Sequence, residues 1–171
     1  MPCTSCNKTI DYNRVDISVW GSLMWQLLHS LSIKRTVIAD ENQLKLLKNK
    51  WKFIFDTLWQ VIPCEECRNH AIEYMRETRQ PDWKTIVTEE QLSDILIDWF
   101  YTFHSAVNKR LGKPVFPRTA LVETYSAVDV RALFKEHVRI MMAFVYASDI
   151  RILIWNQWKT NMMYLLSMYA V

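Results

Sequence analysis

The chain has 171 residues, half of them hydrophobic, and a net charge of +3. That length and apolar content exclude a disordered chain and allow one domain, with an added segment, to bury its core without staples. The small charge, with no Lys/Arg run of five, excludes a partner of the nucleic-acid class.

Two glycines and five prolines are too few for the turns of a strand-rich fold. The composition therefore predicts an all-α protein of long helices and short loops. Eight tryptophans are many for this length. They serve either as core fillers or as walls for a flat aromatic cofactor, and composition does not choose.

Residues 1–15 read as a polar, non-periodic tail with no apolar run of the signal-peptide kind and no Arg-rich transit pattern. A first helix is expected from Asp16 to Ile33, with Trp20, Leu23, Met24, Leu27, Leu28 and Leu31 on one face. Serines, Gln26 and His29 interrupt it, and residues 160–171 are too few to span a bilayer. No membrane segment is expected, and the reading is a soluble, cytoplasmic protein.

Asp40 is placed to cap a second helix, whose stripe is Leu44, Leu47, Trp51, Ile54, Phe55, Leu58, Val61 and Ile62. Pro63 suits the start of a third helix, expected over Cys64–Arg79. A loop follows over Pro81–Val87. Thr88-Glu-Glu-Gln91 has the form of a capping box and opens a fourth helix running through Trp99, Phe103 and Val107 to Leu111. Gly112 sits where a left-handed cap belongs, and Pro114 forbids continuation. From about Ser126 the chain reads helical again. Residues 118–171 form an extension, expected to serve packing or dimerisation.

The four cysteines make two pairs, Cys3-Thr-Ser-Cys6 and Cys64-Glu-Glu-Cys67. A four-thiolate zinc site usually separates its pairs by about 15–20 residues. Here residues 7–63, a stretch of 57, intervene, which favours two redox dithiols over zinc and leaves both open. Cys64 at a helix N-terminus meets exposed N–H groups and the positive end of the dipole, which stabilise a thiolate; Glu65 and Glu66 partly oppose this. Cys64 is expected to be the exposed attacking thiol, with Cys67 one turn deeper. Residues 7–15 let Cys3 and Cys6 reach on the order of 30 Å when extended, enough for a shuttle dithiol.

Three ordered blocks then stand together. They are Trp20-Gly21-x-x-x-Trp25-x-x-Leu28-His29, Pro63-Cys64-Glu65-Glu66-Cys67-x-x-His70 and His104-Ser105-Ala-Val107-Asn108-Lys-Arg110-Leu111-Gly112-Lys113-Pro114-Val-Phe116. Over Trp20 to Phe116 the chain resembles the Erv/ALR family of FAD-linked sulfhydryl oxidases, including compact members from large DNA viruses. The resemblance implies a bundle of four to five helices holding FAD at its mouth (residues 16–117), commonly as a homodimer. It implies oxidation of dithiol proteins, or of a thioredoxin-like carrier, with electrons passed to oxygen and hydrogen peroxide formed. Cys67 would stand next to the flavin and Cys64 would be the interchange thiol. Trp20, Gly21, Trp25 and His29 from the first helix, His70 beside Cys67, and Trp99 would line the cofactor. His104, Val107, Asn108, Leu111, Lys113 and Phe116 would surround its adenosine and phosphates, with Arg110 and Lys113 supplying charge for the pyrophosphate. Cellular members imply the mitochondrial intermembrane space as an alternative to the cytoplasm or virion.

The chain departs from the family pattern in three places. Ser105 stands where an Asn is usual after His104. Ser32, Ile33 and Lys34 stand where an aromatic often follows the Leu-His pair. No cysteines remain for a second, structural disulfide. The rival readings are a zinc-binding helical module built on the two Cys pairs and a flavin-free interaction protein.

Overall fold

The computed structural model describes residues 17–147 and 150–170. Among these the chain is all-helical: α1 (Ile17–Ile33), α2 (Glu41–Thr57), α3 (Glu65–Glu77), α4 (Glu89–Arg110), α5 (Leu121–Ser126), α6 (Val130–Ala147) and α7 (Ile152–Met168). Short 3₁₀ turns cover Leu58–Val61 and Arg118–Ala120.

The boundaries follow local chemistry. Asp40 caps α2, its Oδ1 accepting from the Gln43 backbone N–H at 2.8 Å. Thr88 caps α4 by accepting from Gln91 N–H, while Gln91 Oε1 accepts from Val87 N–H, one residue outside the usual box. α4 ends in a Schellman motif: Lys113 N–H donates to Asn108 C=O at 2.9 Å, Gly112 N–H donates to Lys109 C=O, and Gly112 takes φ +68°.

Two boundaries differ from the sequence expectation. α3 begins at Glu65 with Cys64 as its cap rather than its first residue, and stops at Glu77, where Thr78 Oγ1 donates to the Tyr74 carbonyl. The chain also turns helical before Ser126: α5 starts at Leu121, whose side chain is buried.

α1 packs against α4, α5 and α6, and α2 packs against α7. The expected stripe of α2 is buried throughout, around Trp51, Ile54 and Phe55. Described residues of the extension pack into the common core. Phe134, Met141, Phe144, Trp155, Trp158, Met162 and Leu165 share one apolar cluster with Leu27, Leu31, Leu47 and Trp51. Hydrogen bonds fasten the extension to the body, among them Trp51 Nε1 to Tyr169 Oη at 2.9 Å, Thr36 Oγ1 to the Met168 carbonyl at 2.7 Å and Lys34 Nζ to the Ser126 carbonyl at 2.8 Å.

Candidate functional site

The second cysteine pair sits at the head of α3, with Cys64 in the core cluster, across a cavity from α1 and the end of α4. They are joined as a disulfide with Cα atoms 5.2 Å apart. The Cys67 backbone N–H points at Cys64 Sγ at 3.2 Å, a donor already in place for a thiolate there. Cys64 is only 4% exposed, which overturns the expectation of an open attacking thiol; Cys67 is the more accessible of the two. The cap position turns Sγ over the helix N-terminus and into the apolar cluster that holds Leu58 and Ile62.

Both cysteines line a cavity of about 570 Å³, within the usual range for cofactor sites. Its wall includes Trp20, Gly21 and Trp25 from α1 and His104, Val107, Asn108 and Arg110 from α4. Leu111 and Lys113 follow at the end of α4, and Thr124, Tyr125 and Val128 come from α5 and just beyond.

Four residues expected at the cofactor lie elsewhere. His29 and Phe116 line a narrow cleft behind the wall, with His104, Ser105, Asn108 and Tyr125. Trp99 is core, its ring 4.0 Å from that of Phe55, because the α4 face that holds it points at α2 and α3 rather than at the cavity. His70 faces Arg110, whose Nη1 donates to its Nδ1 at 2.7 Å. Cys3 and Cys6 lie outside the described residues.

Aromatic rings form one wall. Trp25 stacks on His104 with centroids 4.3 Å apart and planes 6° apart, His104 faces His29, and His29 faces Tyr125 at 5.1 Å. Tyr125 thus brings an aromatic to His29 from α5. Ser32, at the position lacking the family aromatic, turns to α4, where Ser93 Oγ donates to its carbonyl. Sequence reasoning missed Tyr125 because it lies past the last recognised block.

His29 Nε2 and His104 Nδ1 are 3.0 Å apart, so one donates and the other must keep a lone pair. Burial, then the proximity of His104, lowers the His29 pKa to about 3. Burial, then the charge of Lys113, lowers that of His104 to about 4. His137, packed between Trp155 and Trp158, is lowered to about 4 by burial, and neither ring nitrogen has a hydrogen-bond partner among the described residues. The folded values lie below the unfolded one of 6.5, so the unfolded chain binds more protons as pH falls through the window from about 6.5 to 4. Stability is expected to fall between pH 7.5 and 5 by on the order of 2 kcal/mol for each fully buried histidine. Urea melts at the two pH values measure this, and His137→Phe should remove one share. A melt as stable at pH 5 as at pH 7.5 contradicts the buried, neutral state.

The wall fits FAD. It is mostly apolar and aromatic, carries Arg110 and Lys113, and has no Asp or Glu among its described residues. Zinc fits less well, since the bonded pair offers no thiolate.

The Erv1/Alr family model matches residues 22–126. The chain belongs to the Erv1/Alr family. Its relatives include a protein of Invertebrate iridescent virus 6, provisionally named FAD-linked sulfhydryl oxidase 347L. It is 30% identical over 61% of this chain and 90% of that protein. The FAD-linked sulfhydryl oxidase of African swine fever virus is 30% identical over 56% of this chain and 71% of its own length. FAD-linked sulfhydryl oxidase ERV1 of Arabidopsis thaliana is 29% identical over 57% and 44%. No solved structure matches the chain significantly. The family match runs through α5, so the cavity residues Thr124 and Tyr125 lie within the family module, which continues past the boundary expected at residue 117. α6 and α7 lie beyond it.

Proposed function

We propose that the chain is an FAD-dependent sulfhydryl oxidase that turns protein dithiols into disulfides through Cys64 and Cys67 and reduces oxygen to hydrogen peroxide. The observation that carries this reading is the Cys64–Cys67 disulfide set in the wall of an aromatic, acid-free cavity. The family and the names of its viral and plant relatives support it.

A substrate thiolate attacks Cys64 Sγ, the Cys64–Cys67 bond breaks, and Cys67 leaves as a thiolate. The second substrate thiolate attacks the mixed disulfide, releasing oxidised substrate and the Cys64 thiolate. The Cys67 N–H then steadies the charge on Cys64. When bound, FAD supplies the two-electron acceptor for the reduced pair and the route to oxygen. Trp20, Gly21, Trp25, His104, Val107, Asn108, Leu111 and Lys113 would hold it, with Tyr125 added from α5. His29 and Phe116 would support that wall from behind.

A thiolate reaching Cys64 must open its cover. Cys3–Cys6 would relay electrons from bulky substrates to it. Cys3→Ser should therefore slow oxidation of a reduced protein and spare dithiothreitol. Equal loss on both substrates removes the relay role. The activity itself is tested by oxygen uptake with dithiothreitol: one peroxide per disulfide is expected, and no uptake by FAD-loaded protein contradicts the proposal. No helix among the described residues is long and apolar enough to cross a membrane. With relatives of viral origin, the reading keeps the cytoplasm of an infected cell or the virion as the place of action, with the mitochondrial intermembrane space as the alternative, and a homodimer as its form.

A further inference from the structure

Arg110 differs from several arginines that are held by carboxylates. Arg35 pairs with Glu89 and Asp94, Arg118 with Asp98, and Arg139 with Glu136. Arg110 has no carboxylate partner among the described residues, and its recorded partner is a ring nitrogen of His70. A guanidinium keeps its charge, so it donates and His70 Nδ1 accepts. The pairing orients Arg110 without cancelling its charge, and the remaining N–H groups stay available.

The position gives that charge a use. Arg110 is the last residue of α4 and lines the cavity. A helix C-terminus disfavours an anion, so an anion held there needs cations beside it. Arg110 and Lys113 supply them, and no acidic side chain opposes them among the described lining residues. His70 lies one turn beyond Cys67 on α3. The contact therefore ties the redox helix to the end of α4.

Arg110 is a cation that the family resemblance sets against the FAD pyrophosphate; we propose that His70 is a positioning residue that holds Arg110 for it. This rests on the FAD reading above. A long arginine side chain has many rotamers, and anchoring it on His70 removes part of that freedom before the ligand arrives.

The test is a double-mutant cycle on the full-length apoprotein, with affinity read by quenching of flavin fluorescence. FAD is one probe. Riboflavin, which has the same ring system and no phosphate, is the other. Arg110→Ala should weaken FAD about 10- to 100-fold and leave riboflavin unchanged. His70→Leu should weaken FAD about 5- to 10-fold, have no effect in the Arg110→Ala background, and leave the apoprotein melting temperature in place. His70→Gln, whose amide oxygen can accept from the guanidinium, should recover most of the loss. Equal His70→Leu losses with and without Arg110, or equal losses for FAD and riboflavin, overturn the proposal while the oxidase reading stands. Wild-type protein that binds no FAD overturns both.

Discussion

Cys67→Ser is expected to abolish turnover while FAD stays bound. Cys67 is one of many residues in the cavity wall, and a serine hydroxyl nearly matches its volume, so the pocket keeps its shape. The chemistry does not survive. A serine cannot form the disulfide with Cys64, and it is no thiolate leaving group when a substrate attacks. The loss should reach at least ~10³-fold, as for removal of a nucleophile that acts as part of a unit. Oxygen uptake with dithiothreitol measures it, with the absorbance of the bound flavin as the control. Turnover above a tenth of wild type would mean that electrons enter by another route.

Deleting α6 and α7, in a chain ending at Asp129, should abolish cooperative folding. Phe144, Trp155, Trp158, Met162 and Leu165 are each fully buried, and all belong to the same cluster as the inner faces of α1 and α2. Removing one such side chain costs about 1.5–3 kcal/mol of burial. Several together exceed the whole stability of a domain, about 5–15 kcal/mol. The deletion also removes Tyr169, which accepts from the Trp51 indole N–H. Circular dichroism melts and gel filtration of the truncated chain measure the effect. A sharp melt and retained FAD would show that residues 16–129 stand alone and that the extension serves another purpose.

Much of the fold was legible because helix ends are local. Asp40, Thr88 and Gly112 mark their boundaries by chemistry within a few residues, and each does so in the structure. The α2 stripe was legible because helical periodicity reports which face is buried. What lies over that face is not local. The Cys64 position at the head of α3 followed from Pro63, but its burial depends on the apolar cluster that the other helices bring to it. Trp99 shares a helix with His104 but lies five residues before it, about 140° around the helix, and so meets Phe55 instead of the cavity. The Tyr125–His29 contact joins residues far apart in sequence, and no spacing within α1 announces it. The extension read as helical and apolar, but composition does not tell which faces of α1 and α2 its helices will cover.

The most direct measurement is the visible absorption spectrum of the purified full-length protein, before and after anaerobic dithiothreitol. Flavin bands near one per chain, bleached by the reductant and restored by air, are the predicted result. A colourless protein that stays colourless after added FAD, or a bound flavin that dithiothreitol cannot bleach, would contradict the account.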